Sequence, residues 1–184
     1  MKTIEKYQKK YPEIYVRTKF STDASEENFD LIISEENPKL KNYQKQKLLS
    51  EKIAVAINTH KINFKPDNFN VNGLSQLPFI TMTEPSSQFS FTQKICLDLG
   101  IKPNIAIQSD DPFYIRKCVE LGLGIAITPI LSWKGQYSKD VTLLPISGYN
   151  RDTYLYAPQN KYMPICAKRF SEMLIEECSE ESQE

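Results

Sequence analysis

The chain has 184 residues, and its 23 lysines and arginines balance its 23 aspartates and glutamates. This zero net charge argues against a chain that binds nucleic acid over its whole surface, because such proteins carry a basic excess. The length allows one domain or two small lobes with a buried core. The basic start of the chain and its acidic end, from Glu172 to Glu184, are interpreted as solvated surface.

Targeting signals and metal-ligand patterns are missing from the sequence. No apolar run approaches the roughly 18–20 residues that span a bilayer, and the start has no signal-peptide pattern. We therefore expect a cytoplasmic protein. The four cysteines are far apart and there is one histidine, so we expect neither a metal nor another cofactor.

The first third of the chain predicts one helix and three strands. The spacing of Ile4, Tyr7 and Tyr11 is that of an amphipathic helix, which ends before Pro12. Apolar and polar residues alternate in the next segment, and two more buried runs follow. The predicted strands are Ile14–Phe20, Phe29–Ile33 and Lys52–Ile57. Residues 60 to 72 are irregular, which favours a connection between two lobes.

Strands and helices alternate through the rest of the chain. One helix ends at Gly100, a second begins at Asp110 or Asp111 with Pro112 in its first turn, and a last one begins at Pro164. The predicted strands are Pro78–Met82, Pro103–Ile107, Gly124–Thr128, Val141–Pro145 and Thr153–Ala157. This order predicts an α/β fold of two lobes: residues 1–62 with 144–178, and residues 63–143. Residues 179–184 are expected to be a disordered tail.

Several segments, taken in order, resemble one family. Phe29-Asp30-Leu31-Ile32-Ile33 resembles a D-L-A-I-like strand, and Leu77-Pro78-Phe79-Ile80 resembles the strand that enters the second lobe. The best match is Val119 to Pro129, which resembles a V-x-x-G-x-G-I-A-x-x-P signature. The chain is therefore similar to the effector-binding domain of LysR-type transcriptional regulators.

The resemblance implies a two-lobed fold like that of type 2 periplasmic binding proteins. It also implies a small effector in the cleft between the lobes, and a homodimer. DNA would be bound only through a helix-turn-helix domain, which this chain does not contain. The chain opens directly in the first helix, so the first strand of lobe I is expected to be missing.

Polar residues at the ends of the predicted strands are the candidate ligand site. Hydroxyls and free N–H groups at a helix start favour an anion, and in the resembled fold these junctions face the cleft. The candidates are Thr81, Thr83, Ser86, Ser87, Gln88, Ser109 and Asp110, with Thr128 and Ser21 as weaker ones. The alternative is that these residues are only caps and turn formers.

The sequence offers no catalytic constellation. Asp110 and Asp111 are adjacent, so they point in different directions, and His60 has no nucleophile near it in sequence. We therefore expect a sensor that binds a small anionic metabolite and is not an enzyme. The alternatives are a cytoplasmic solute-binding protein of the same fold and a dimerisation module that binds no ligand.

Overall fold

The computed structural model describes residues 2–19, 29–64, 71–159 and 162–181. Helices and strands alternate along the chain, so the protein has the α/β fold that the sequence predicts. The elements are α1 (Lys2–Lys10), β1 (Ile32–Ser34), β2 (Tyr43–Asn58), α2 (Val71–Leu74), β3 (Pro78–Met82), α3 (Ser87–Asp98), β4 (Asn104–Ser109), α4 (Pro112–Glu120), β5 (Ala126–Pro129), β6 (Val141–Pro158) and α5 (Ile165–Glu181).

The chain divides into two compact units. Unit 1 comprises Met1–Ser50 and Asp152–Glu184, and unit 2 comprises Glu51–Arg151. The chain therefore leaves unit 1 within β2 and returns to it within β6. The lobe boundaries predicted from the sequence, at 62/63 and 143/144, lie after the end of β2 and near the start of β6.

The two strands that connect the units are much longer than the sequence predicts. β2 has 16 residues instead of the six from Lys52 to Ile57, and β6 is one strand of 18 residues where two short strands were expected. The reason is that residues Gln44 to Lys47 of β2 are polar on both faces, so no periodicity marks them. Backbone pairing with β6 makes it a strand.

Unit 1 contains a sheet covered by helices. Its strands lie in the order β1-β6-β2, and β1 runs antiparallel to β6 with Ile32 opposite Tyr156. Tyr7 of α1 is 1% exposed. Its hydroxyl donates to the Cys166 carbonyl at 2.8 Å, and its ring packs edge-on against Phe170 of α5 at 5.2 Å. These contacts fix α1 against α5.

Two predictions for unit 1 are corrected. Residues 14–19, the described part of the strand predicted at Ile14–Phe20, are not a strand. Their alternating pattern does give a half-buried face, but a strand also needs a partner strand, which a pattern cannot supply. The tail predicted to be disordered from Ser179 is helical over its described part, because α5 continues to Glu181.

Unit 2 is built on strands joined side by side. β3 and β4 are parallel, and β2 is antiparallel to β5. A single bridge, Phe79 to Ile125, joins β3 to the start of β5. Gly124 makes this approach possible, because a Cβ atom there would lie 2.4 Å from the Pro78 carbonyl oxygen. This glycine of the sequence signature therefore has a structural cause.

The helices of unit 2 cover a buried apolar core. α3 contributes Ile95 and Cys96 to one cluster, in which Ile127 of β5 and Ile125, just before β5, also pack. α4 contributes Ile115, Cys118 and Val119 to a second cluster, which contains Ala126. Successive residues of β5 thus face opposite clusters, as its period of two requires. Among the described residues, no helix has the length and apolar character needed to cross a membrane.

Candidate functional site

The parallel strands β3 and β4 end side by side, and this brings most of the candidate residues together. Met82 is opposite Ser109 in the register, and the backbone N–H of Thr83 donates to the Ser109 carbonyl at 3.1 Å. The polar residues that follow both strands therefore meet at one edge, where open α/β sheets usually bind ligands. The seven candidates at this edge are Thr81, Thr83, Ser86, Ser87, Gln88, Ser109 and Asp110.

The start of α3 is capped by Ser86. Its backbone is extended, and its hydroxyl accepts a hydrogen bond from the Phe89 N–H at 3.1 Å. Ser87 occupies the first helical position and is exposed. No acidic residue lies in the first turn of α3. The partial positive charge of this helix end is therefore not offset by a carboxylate of the helix itself.

Gln88 has a structural role in this group. Its side chain is 6% exposed, and its carbonyl oxygen accepts from the Met82 N–H at 2.7 Å and from the Thr81 hydroxyl at 3.2 Å. Its amide donates to the Ile127 carbonyl at 2.9 Å. Thr81 is fully buried. These two candidates hold α3 to β3 and β5, and their polar groups are directed at protein atoms.

The start of α4 differs in charge from the start of α3. Asp111 caps it, because its carboxylate accepts from the Phe113 N–H at 2.8 Å, and Pro112 takes the first position as predicted. The Ser109 hydroxyl accepts from the Asp111 N–H at 3.1 Å, and Asp110 is exposed beside it. Two carboxylates thus occupy this helix end. The nearest carboxylate before α3 is Glu84, two residues ahead of the cap, so the positive end of α3 is less compensated than that of α4.

Thr128 lies on β5, next to Ile127, whose carbonyl accepts from the Gln88 amide. Its side chain is fully buried, and its hydroxyl has no hydrogen-bond partner among the described residues. The Tyr137 hydroxyl is likewise unbonded within the described part of the chain. Burial raises the pKa of the Tyr137 phenol, and the neighbouring Thr128 hydroxyl offsets part of that rise. The two hydroxyls are thus neighbours without a hydrogen bond of ordinary geometry. Ser21 lies outside the described residues.

His60 is exposed in the turn after β2, and this turn is organised by Asn58. The Asn58 carbonyl oxygen accepts from the backbone N–H groups of His60 and Lys61 at 3.1 and 3.2 Å. Its amide donates to the Glu120 carbonyl at 2.7 Å, at the last residue of α4. The backbone of His60 therefore belongs to a structural turn. No cluster of three or more metal-ligating side chains occurs in the described ranges.

A buried charge that the sequence analysis did not single out lies on β2. The Glu51 side chain has no exposed surface, and its carboxylate accepts from the Ser132 N–H at 2.7 Å and hydroxyl at 2.5 Å. Arg151 of β6 approaches it at 3.3 Å. The sequence shows Glu51 only as a carboxylate just before the apolar run of β2. Its partners are 81 and 100 residues away, so the pattern could not reveal them.

Comparison with known proteins places the chain in a family. The sequence profile described as "LysR substrate binding domain" matches residues 1–179. The chain belongs to this family. No curated protein matches it.

Solved structures of LysR substrate binding domains have the same fold as this chain. The regulatory domain of CcmR from Synechocystis PCC6803, in complex with 2-PG, superposes with a TM-score of 0.83 at 16% identity, covering 96% of this chain and 89% of that one. The effector-binding domain of QuiR with shikimate gives 0.75 at 17% identity, covering 97% and 90%. That of BenM with benzoate gives 0.75 at 18% identity, covering 98% and 86%. These relatives are domains of regulators that bind small effectors.

Proposed function

We propose that this LysR substrate binding domain is a regulatory sensor that binds a small anionic metabolite. The observation that carries the proposal is the junction of β3 and β4 at the start of α3, where exposed polar groups lie beside a helix end with no carboxylate in its first turn. Helix ends of this kind favour anions. Shikimate and benzoate, which the QuiR and BenM domains bind, are carboxylates.

On this proposal some candidate residues contact the ligand and others support the site. Ser87 and Thr83 are at least partly accessible and belong to the binding group, together with Ser109. Thr81 and Gln88 support the site by holding α3 in place. The domain is further proposed to act as a cytoplasmic homodimer, and to reach DNA only through a separate helix-turn-helix domain.

The proposal can be tested by removing one backbone donor. Ser87→Pro deletes the N–H of the first helical residue, and proline is well tolerated there. Ser86 already has the extended backbone that a following proline requires, with ψ at 147°. Wild type and variant are screened by thermal shift against benzoate, shikimate, 2-PG and inorganic phosphate. The proposal predicts that an anion stabilises the wild type and stabilises Ser87→Pro less, with the two unliganded proteins equally stable.

A ligand-free dimerisation module is the second candidate. The observation that favours it is that the polar groups of Gln88 and Thr81 are already satisfied by protein atoms. Such a module would give no thermal shift with any anion, yet would remain dimeric. The thermal shift therefore separates the two candidates, and sedimentation equilibrium checks the dimer that both of them assume.

A further inference from the structure

Unit 1 contains a pocket of its own. It has a volume of about 460 Å³, within the range of roughly 300–1,000 Å³ that small-molecule sites occupy. It lies where the first residues of β2 and the last residues of β6 meet α5 and Met163. Each of its lining residues belongs to unit 1, whereas the polar junction described above belongs to unit 2. The pocket is therefore a separate site.

The floor of the pocket is apolar. Leu31, Leu155 and Ile175 line it, and they are part of the cluster that packs α5 onto the sheet. Leu155 is 5% exposed, so most of its side chain is packed in the core and only a small part faces the pocket. An aromatic or aliphatic group of a ligand would remove the remaining apolar surface of the floor from water, which favours binding.

The rim of the pocket is polar but supplies little net charge. Gln44 and Gln46 are exposed and two residues apart on β2, so they share one face of the strand. Each amide offers both donors and an acceptor. Lys45, between them, has its ammonium group at 2.5 Å from the Glu36 carboxylate and 4.0 Å from the centre of the Tyr154 ring. Its charge is thus already compensated by Glu36.

We propose that unit 1 binds a second small molecule in this pocket, a neutral one with an apolar body and an amide-like polar end. Such an end can donate to and accept from the glutamine side chains at once. A carboxylate could only accept, and the one cation among the described lining residues, Lys45, is already paired with Glu36, so a carboxylate would lose hydration without gaining an ion pair. The two sites therefore select ligands of different charge.

Methionine methyl groups provide a local test. The protein is labelled with [13C-methyl]methionine and titrated with benzamide, with benzoate as the charged analogue of the same shape. Met163 lines the pocket, whereas Met173 lies on α5 outside it and Met82 belongs to unit 2. We expect saturable shifts of the Met163 resonance, with a Kd on the order of millimolar as for other ligands of this size. The Met82 and Met173 resonances should stay in place, and benzoate should bind at least fivefold more weakly.

Exposed substitutions keep the fold intact while they test the rim. Gln46→Ala should weaken benzamide binding about fivefold, the usual effect of one lost hydrogen bond. Gln93→Ala on the exposed face of α3 is the matched control and should leave binding unchanged. The proposal is overturned if Met163 does not respond to benzamide, if Met82 and Met173 respond as strongly as Met163, or if benzoate binds as well as benzamide. Because the probe is neutral and the site lies in unit 1, failure here leaves the anion site of unit 2 unaffected.

Discussion

Gln88→Ala is the substitution that most sharply separates a structural residue from a ligand contact. The native side chain accepts from the Met82 N–H and the Thr81 hydroxyl and donates to the Ile127 carbonyl; the last two of these bonds are buried and the first is partly buried. Alanine removes these three hydrogen bonds and opens a small cavity. Each buried polar group that loses its partner costs about 1–3 kcal/mol.

Partial relaxation and entry of water reduce the sum, so we expect a loss of about 3–5 kcal/mol in the free energy of unfolding. For a chain of this size each kcal/mol lowers Tm by about 2–4 °C, so Tm should fall by about 10 °C. Urea denaturation followed by far-UV circular dichroism measures the free energy directly. Differential scanning calorimetry provides Tm.

The control is Gln93→Ala, on the exposed face of the same helix. It should change stability by less than about 0.5 kcal/mol, because alanine is a slightly better helix former and no buried group loses a partner. If Gln88→Ala were as stable as Gln93→Ala, the assignment of Gln88 as the link between α3, β3 and β5 would be wrong. Its amide would then be available to a ligand.

Three further predictions concern single buried or strained positions. Glu51→Gln removes the buried carboxylate that Ser132 and Arg151 contact, and it should lower the free energy of unfolding by about 3 kcal/mol in urea; an unchanged midpoint would contradict the buried pair. Gly122→Ala and Gly135→Ala both place alanine at a positive φ, which costs about 1–2 kcal/mol. At Gly122 the new Cβ atom would also lie 2.5 Å from the Lys61 Cβ, whereas at Gly135 nothing lies within 4 Å. Gly122→Ala should therefore be the less stable of the two variants in calorimetry. Burial raises the pKa of the Cys96 thiol to about 11, so above pH 9 the unfolded chain releases this proton while the folded chain keeps it. Between pH 9 and 11 the free energy of unfolding, measured in urea, should therefore decline faster for the wild type than for Cys96→Ala. An equal decline in the two proteins would refute this prediction.

The parts of the fold that the sequence predicted are those determined by residues close together in the chain. The pattern at Pro78–Met82 predicted β3 to the residue, and Asp111 with Pro112 predicted the start of α4. The parts that it missed depend on distant partners. The polar residues Gln44 to Lys47 belong to a strand because β6 pairs with β2, and no local pattern indicates that partner.

The same distinction applies to the candidate site. Serine, threonine and glutamine at strand ends were identifiable as a polar group, but their hydrogen-bond partners were not. The acceptor of the Gln88 amide is the Ile127 carbonyl, 39 residues away. Only the folded chain therefore separates Gln88, which contacts protein atoms, from Ser87 at the exposed start of the same helix.

Backbone 15N NMR during a titration with small anions tests the central claim most directly. We expect benzoate, shikimate, 2-PG or phosphate to shift the amide signals of Thr83, Ser87 and Ser109, because these residues adjoin the start of α3. We expect weaker changes at Asp111, where carboxylates already occupy the helix end. If none of these anions moves those signals, or if the shifts lie elsewhere in the protein, the proposed effector site is contradicted.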